Sequence, residues 1–202
     1  MHVDPMGVAT SAFGGLPTAI GSGRGVIATE RQGLAIARIA ARQGYAAEVM
    51  ELLQAKFGVE PRVGPRCGSL DDIAIAGISP NTWIATRESA GNAFAASLHS
   101  LLGNCASIAD LSDAYVILRL AGPRVRETLA KLVPVDIHPR SFQVGDVAQT
   151  ACGYMSVMLW RLEDTAERGP TFDIWGGRSL AVSLHQAIGE AAAEFGFVRH
   201  TA

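Results

Sequence analysis

The feature that most constrains the fold is a regular alternation of paired strands and single helices from residue 73 to residue 195. The predicted strands are residues 73–78 with 83–86, 106–111 with 115–120, and 146–152 with 155–162, followed by a single strand at 171–175. In the strand at 115–120, side chains alternate between two faces, with Val116, Leu118 and Leu120 on one and Tyr115, Ile117 and Arg119 on the other. Because a parallel doubly wound sheet places a helix after every strand, this order favours α+β sandwiches of ferredoxin-like character.

Four helices are predicted from apolar residues that recur at three- and four-residue spacing. The apolar sets are Tyr45, Val49, Leu52 and Leu53; Phe94, Leu98, Leu101 and Leu102; Val125, Leu129 and Leu132; and Leu180, Leu184, Ile188 and Ala191. Gly58 and Gly103 are predicted to end the first two helices in the left-handed conformation, and Gly122-Pro123 opens the third. The first and last helices end similarly, in Lys56-Phe57-Gly58 and Glu194-Phe195-Gly196, which hints at an internal duplication.

Residues 1–25 are predicted to form a flexible N-terminal arm, because their glycines and prolines leave no periodic segment that packs. A loose alternation at residues 33–40 predicts the first strand. The chain is therefore divided into an arm at residues 1–25 and one α+β domain at residues 26–202.

Composition narrows the classes of function. The net charge of −2 gives no electrostatic footprint for nucleic acid or anionic lipid. No apolar run spans a bilayer, and residues 1–23 lack the basic and apolar regions of a signal peptide, so a cytoplasmic location is expected. Apolar residues make up 49% of the chain and charged residues 18%. That balance fits either an alanine-rich globule or a chain whose apolar surface is covered by a partner.

Two glycine-rich segments are candidate phosphate sites. Gly21-Ser22-Gly23-Arg24-Gly25 follows no predicted strand, so the strand–loop–helix context of a phosphate loop is not expected there. Gly176-Gly177-Arg178-Ser179 lies between a strand and a helix, where free N–H groups favour anions. The alternative is that Gly177 or Ser179 caps the helix and Arg178 pairs with a carboxylate.

No nucleophile, base and orienter, and no metal spacing, are recognised, so no catalytic, cofactor-binding or metal residue is assigned. The chain has five histidines (His2, His99, His138, His185 and His200) and three cysteines (Cys67, Cys105 and Cys152), and none of them has metal-ligand spacing. Asp71-Asp72, Asp110 and Asp113 are interpreted as turn residues, although Asp110 is the one candidate for a functional carboxylate. The tryptophans Trp83, Trp160 and Trp175 lie in predicted strands, where a buried one belongs to the core and an exposed one anchors an interface.

A series of segments, in order along the chain, resembles the gamma subunit of heterotetrameric sarcosine oxidase. The segments are Gly77-Ile78-Ser79-Pro80-Asn81-Thr82-Trp83, Ala109-Asp110-Leu111-Ser112-Asp113, Leu118-Arg119-Leu120-Ala121-Gly122-Pro123, Leu129-Ala130-Lys131-Leu132-Val133-Pro134-Val135-Asp136, Phe142-Gln143-Val144-Gly145, Val147-Ala148-Gln149-Thr150, Leu159-Trp160-Arg161, Phe172-Asp173-Ile174 and Arg178-Ser179. The resemblance covers residues 73–196 and is specific by order rather than by any one motif. Trp175-Gly176-Gly177 departs from the apolar stretch with proline expected before Arg178-Ser179.

The resemblance implies duplicated ferredoxin-like subdomains, similar to the folate-binding domain of aminomethyltransferase. It implies a non-catalytic subunit, without an independent active site, of a flavoenzyme that oxidatively demethylates sarcosine to glycine and passes one carbon to tetrahydrofolate. The partners implied are the alpha, beta and delta subunits, chiefly the large alpha subunit, and no nucleic acid or membrane. NAD, FAD, FMN, tetrahydrofolate and zinc are expected on those partners and none in this chain.

Two alternatives remain open at this point. The first alternative is that the chain is a subunit of a related N-methylglutamate dehydrogenase. The second is that it is a stand-alone folate-binding protein of aminomethyltransferase type that uses Asp110. A docking face rich in apolar residues and arginine is expected on the subunit interpretation.

Overall fold

The computed structural model describes residues 11–88, 93–165 and 169–200. In these residues two β-sheets pack face to face, and two helices cover the outer face of each sheet. The strands are β1 (Ala19–Ile20), β2 (Val26–Glu30), β3 (Leu34–Ala41), β4 (Cys67–Leu70), β5 (Ile73–Ser79), β6 (Thr82–Glu88), β7 (Ala106–Asp110), β8 (Tyr115–Ala121), β9 (Val147–Cys152), β10 (Met155–Thr165), β11 (Gly169–Gly177) and β12 (Phe197–His200). The helices are α1 (Ala46–Phe57), α2 (Ala93–Leu102), α3 (Val125–Ala130) and α4 (Ala181–Ala192), and a 3-10 turn at Arg178–Leu180 precedes α4. No helix in the described part of the chain is long and apolar enough to cross a membrane.

The five-stranded sheet is a ferredoxin-like unit with one added edge strand. Its order is β4-β5-β6-β3-β7, and all neighbours are antiparallel. Without β4, the chain order β3-α1-β5-β6-α2-β7 is the βαββαβ arrangement. The predicted apolar faces of the helices hold α1 and α2 on this sheet, since Leu53 and Leu98 are fully buried in one cluster with its strands.

The seven-stranded sheet repeats the same unit. Its order is β1-β12-β2-β8-β11-β10-β9, and β8-α3-β10-β11-α4-β12 is again βαββαβ. Here β9 is the added edge strand, and β2 from the N-terminal side is inserted between β8 and β12, parallel to β12. The predicted duplicated α+β architecture is therefore confirmed. The similar ends of α1 and α4 are not its signature, because α1 is the first helix of one unit and α4 is the second helix of the other.

Strand β8 shows how alternation assigns side chains to layers. Leu118 and Leu120 lie under α3 and α4, whereas Ile117 faces the other sheet. Between the sheets, Ile117 joins a smaller core in which the Trp160 and Trp175 rings stack with centroids 4.4 Å apart. The predicted alternation of this strand is confirmed.

The helix ends follow the prediction at one glycine and not at the other. Gly58 has φ 69°, and its N–H donates to the Gln54 carbonyl oxygen, as a left-handed stop requires. Gly103 does not have a positive φ, so the prediction of a left-handed stop there is wrong. A β-carbon on Gly103 would lie 2.7 Å from the His99 carbonyl oxygen, so glycine is required there for a close backbone approach instead.

The described part of the predicted arm, residues 11–25, packs on the seven-stranded sheet. Phe13 is fully buried, and β1 pairs with β12. Two buried charged groups hold this segment: the Glu30 carboxylate accepts hydrogen bonds from Ser11 Oγ (2.5 Å) and the Ala12 N–H (3.0 Å), and Arg199 Nη2 donates to the Phe13 carbonyl oxygen (3.0 Å). These contacts could not be predicted from the sequence, because packing was predicted from apolar residues that recur at regular spacing and Phe13 stands alone. The division of the chain at residue 25 stays a prediction, and residues 1–10 lie outside the described residues.

Candidate functional site

A charged cluster spans the two sheets, and we name Arg31, Glu88, Arg119 and Asp173 the inter-sheet ion cluster. Asp173 on β11 lies directly opposite Arg119 on β8. Its two carboxylate oxygens accept hydrogen bonds from Arg119 Nε and Nη2, each 2.8 Å long. Arg31, in the link between β2 and β3, places Nη1 4.0 Å from Asp173 and donates Nη2 to Glu88 on β6 at 2.7 Å. The cluster therefore ties the end of one sheet to the other.

The electrostatics of the inter-sheet ion cluster indicate a structural role and not a role in proton transfer. The Asp173 side chain is 7% exposed, and both of its oxygens are engaged by a guanidinium. Burial acts to lower the pKa of Arg119, but the hydrogen bond and charge of Asp173, with the charge of Glu88, outweigh it and raise that pKa. Two cations balance two anions, so the cluster offers no spare base and no net charge for a substrate.

The thiols are held in their neutral form. Burial, and then the nearby charge of Asp173, raise the pKa of Cys67 to about 12. Burial raises the pKa of Cys105, and both the hydrogen bond to Glu48 and the charge of Glu48 raise it further. Burial also raises the pKa of Cys152. A nucleophilic cysteine needs the opposite shift. No group of three histidine, cysteine or carboxylate residues in residues 11–88, 93–165 and 169–200 is arranged to hold a metal ion.

A groove of about 440 Å³ lies on the outer surface between α1 and the end of α2. Leu52 and Leu102 give it apolar lining, and Glu48, His99 and Cys105 supply its polar groups. The Cys105 thiol donates to Glu48 Oε1 at 3.3 Å, which engages two of these groups with each other. The groove is therefore a mixed polar and apolar surface depression, and the thiol in its lining is not an activated nucleophile.

The first glycine-rich segment is a packing element. A β-carbon on Gly21 would lie 2.1 Å from the Ala193 carbonyl oxygen, and one on Gly25 would lie 2.5 Å from that of Phe195. The Gly25 N–H donates to the same Phe195 oxygen at 2.9 Å. The glycines thus let this segment run against the end of the last helix, and the arrangement is not a phosphate cradle.

The second glycine-rich segment carries β11 into the 3-10 turn, and α4 begins only at Ala181. Gly177 is the N-cap residue of that turn, without a side-chain cap, whereas the N-cap residue of α4 is Leu180. The prediction that Gly177 or Ser179 caps the helix is therefore wrong, because a 3-10 turn that includes Ser179 lies between Gly177 and α4. The Arg178 N–H donates to the Ala114 carbonyl oxygen at 2.9 Å, so this N–H is not available to an anion.

The predicted turn aspartates are engaged locally. Asp110 Oδ1 accepts from the Ser112 N–H (3.0 Å) and from Ser112 Oγ (2.6 Å). Asp71 adopts a positive φ of 51° between β4 and β5, and Asp72 pairs with Arg87 Nε at 2.8 Å. The structure brings none of these carboxylates into the groove between α1 and α2.

Among the candidate aromatic and histidine residues, Trp83, Trp160 and Trp175 are all buried. His185 is 1% exposed beneath the N-terminal segment, with ring centroids 6.1 Å from Phe13 and 5.4 Å from Phe197. Burial, and then the charge of Arg199, lower its pKa, which a hydrogen bond to the Pro17 main chain partly offsets. His185 is therefore a neutral core residue.

Two exposed apolar side chains lie on loops beside the edges of the two sheets. Val63 is 81% exposed and Val144 38%, and both lie within three residues of a bridge between Arg66 and Asp146 that joins the edges of the two sheets. This corner has the apolar and arginine-bearing composition that was predicted for the docking face. The location of the docking face stays a prediction. Sequence reasoning missed the inter-sheet ion cluster, since its members lie far apart in the chain and each follows only its own strand pattern.

Comparison with known proteins places the chain among relatives of the predicted kind. The GCVT N-terminal domain model matches residues 38–201. "Sarcosine oxidase subunit gamma" of Corynebacterium sp. (strain P-1) is 33% identical over 105 residues, which are 52% of this chain and 51% of that protein. The subunit of the same description from Arthrobacter sp. is 29% identical over 104 residues, again 52% and 51% of the two chains. The match thus spans about half the length of these curated relatives, and the resemblance predicted from the sequence is confirmed.

Two solved structures share the fold. Heterotetrameric sarcosine oxidase from Corynebacterium sp. U-96, in complex with pyrrole 2-carboxylate, aligns over 87% of this chain and 88% of that chain, with a TM-score of 0.75 and 24% identity. Glycine cleavage system aminomethyltransferase T from Bartonella henselae aligns over 88% of this chain and 47% of that chain, with a TM-score of 0.61 and 13% identity. At these identities the likeness establishes the fold alone.

Proposed function

Because the chain belongs to the GCVT N-terminal domain family, we propose that it is a non-catalytic, gamma-type subunit of a sarcosine oxidase-type complex. The observation that carries this proposal is the match, at 29–33% identity, to curated proteins described as sarcosine oxidase subunit gamma. The shared fold with a chain of heterotetrameric sarcosine oxidase supports it over most of the length of both chains.

On this proposal the complex oxidatively demethylates sarcosine to glycine and transfers one carbon to tetrahydrofolate, while this subunit contributes shape and contact area. Alpha, beta and delta subunits are the partners, and NAD, FAD, FMN, tetrahydrofolate and zinc belong to them. The chemistry of the polar groups supports this division: the three thiols have raised pKa values, and the Asp173 carboxylate is occupied by Arg119. We further propose a cytoplasmic location, which cell fractionation tests.

The test is co-expression with the large alpha subunit. We expect most of the chain expressed alone to be poorly soluble, leaving only a small soluble fraction for measurements in isolation, and the large subunit to recover it as a stable complex that elutes as one species on gel filtration. A chain that is monomeric alone and fails to bind that subunit would contradict the proposal. Assaying the complex with sarcosine and with N-methylglutamate separates a sarcosine oxidase from the N-methylglutamate dehydrogenase alternative.

A second candidate is a stand-alone folate-binding protein, which the fold shared with aminomethyltransferase T favours. Calorimetric titration of the isolated chain with a reduced folate discriminates the two. Micromolar binding that Asp110→Asn abolishes, with Asp113→Asn as the control, would favour this candidate. If neither the wild-type chain nor the Asp113→Asn variant binds the reduced folate, the result supports the subunit proposal.

A further inference from the structure

Residues 11–18 cover part of the seven-stranded sheet without belonging to any helix or strand. The Glu30 carboxylate holds the start of this segment, and Arg199 Nη2 donates to the carbonyl oxygens of Phe13 (3.0 Å) and Leu16 (3.1 Å). Because these contacts belong to no strand pair and no helix, the segment can leave the sheet without breaking either.

His185 on α4 lies directly beneath this segment. The Phe13 ring of the segment and the Phe197 ring of β12 both pack on it, and it forms a hydrogen bond to the Pro17 main chain. Its Nε2 atom is buried and has no hydrogen-bond partner among the described residues. A protonated imidazole carries a hydrogen on both ring nitrogens, so protonation would leave a buried donor at Nε2 without an acceptor.

The charge that acts on the His185 ring is positive. Arg199 of β12 holds its guanidinium carbon 5.6 Å from the Phe13 ring centroid, and its Nε and Nη1 atoms are buried without a partner among the described residues. The Glu30 carboxylate of β2 is engaged by the segment and by Gln32, and it is not among the charges that shift the pKa of His185. The same holds for the charged groups on α4 and on the elements packed against it, which are Glu190 on α4, Arg124, Arg126 and Glu127 on α3, Asp173 on β11 and Arg178 in the 3-10 turn. A protonated His185 would therefore place a second cation beside Arg199 without an anion to balance it.

Release of residues 11–18 removes both costs, because water then reaches the imidazole and the guanidinium. While the segment is in place, burial and then the charge of Arg199 lower the pKa of His185. The released state therefore has the higher pKa and binds the proton more readily as the pH falls. Above the ordinary histidine pKa of about 6.5 the imidazole is neutral in both states and the closed state is favoured in full, whereas below it acid shifts the balance toward release.

We propose that residues 11–18 form an acid-released latch, which leaves the seven-stranded sheet below about pH 6.5 while both βαββαβ units stay folded. Release exposes the Phe13 side chain, which is fully buried in the closed state, together with the surface beneath it. The rest of the sheet keeps its own contacts, because α4 remains packed on α3 and β11 and β12 remains paired with β2. The latch is a property of this chain and does not depend on the proposed function.

Amide hydrogen exchange of the full chain, in its soluble fraction or in its complex and followed by mass spectrometry, tests the latch. With His185 neutral in the closed state and an ordinary histidine pKa in the released state, the ratio of released to closed chains rises about tenfold between about pH 7.5 and about pH 5.5. After correction for intrinsic exchange rates, protection of the peptide that covers residues 11–18 should fall by about that factor, while protection of β8 stays unchanged. An equal loss of protection in β8 would indicate global acid unfolding, and unchanged protection of residues 11–18 would indicate no release. Either result overturns the inference.

A matched pair of variants identifies the group that titrates. His185→Phe keeps an aromatic ring without a titratable nitrogen, and it should abolish the loss of protection at residues 11–18 on acidification. His200→Phe removes an exposed histidine of the same sheet, next to Arg199 in the chain, and should leave that loss at about tenfold. His185→Gln is a second uncharged variant, which should behave as His185→Phe does if the phenylalanine ring does not fit. A loss that survives in both His185 variants, or one that disappears in His200→Phe, overturns the assignment of the latch to His185.

Discussion

Replacing Asp173 by asparagine removes the one carboxylate that joins both arginines of the inter-sheet ion cluster. Arg119 would lose one of its two 2.8 Å hydrogen bonds, because the amide nitrogen of asparagine donates and does not accept, and the other would lose its anionic acceptor. Arg31 would keep only Glu88, whose side chain is 61% exposed. Breaking a fully buried pair on one side costs about 3–5 kcal/mol. Because the Arg119 side chain is 35% exposed, water recovers part of that penalty, and we expect a loss of about 2–3 kcal/mol.

The control is Asp72→Asn, which breaks an ion pair of the same 2.8 Å length at the surface. Asp72 and Arg87 are 46% and 41% exposed, so this loss should be about 0–1 kcal/mol. Urea unfolding followed by circular dichroism measures both. With a slope of about 2 kcal/mol per molar urea, the midpoint should fall by about 1–1.5 M for Asp173→Asn and by less than about 0.5 M for Asp72→Asn. Equal midpoints for the two variants would refute the argument that burial makes the cluster strong.

Three further predictions concern buried groups. The pKa of His185 is lowered in the folded chain, so below about pH 6.5 the unfolded chain binds the proton more readily than the folded chain. Stability should therefore be constant above about pH 6.5 and fall as the pH drops below it. Thermal melts of His185→Phe should lose this fall in melting temperature with decreasing pH. Iodoacetamide at pH 8 should alkylate Cys67 at least roughly tenfold more slowly in the folded chain than in urea, because its thiol has a pKa of about 12; equal rates would show an exposed thiolate. Gly21→Ala should destabilise the chain more than Gly15→Ala in chemical unfolding, since both glycines have a positive φ but only at Gly21 would the added carbon meet a carbonyl oxygen, at 2.1 Å; similar losses would mean that backbone strain alone matters.

Local patterns predicted the elements because each reports contacts made within a few residues. The apolar spacing of Val49 and Leu53 located α1, and the alternation of Leu118 and Leu120 separated the faces of β8. Gly58 fulfils its predicted role because a left-handed stop needs only the helix that it ends. At Gly103 a glycine also follows the last apolar residue of the helix, but the predicted left-handed stop is not formed. Glycine is required there because a β-carbon would contact a carbonyl oxygen of the previous turn.

Side-chain spacing along one strand or helix predicted the period and the order of the elements, whereas the duplicated ferredoxin-like architecture was predicted from the family resemblance. Which strands become neighbours is settled only by contacts between distant parts of the chain. The fold places β7 and β8, which are separated by four residues, in different sheets, so the predicted pairing of residues 106–111 with 115–120 is wrong. It also inserts β2 between β8 and β12. The meeting of Arg31, Glu88, Arg119 and Asp173 follows from that pairing. Pairing is set by the joint burial of distant surfaces, which no local window of residues contains.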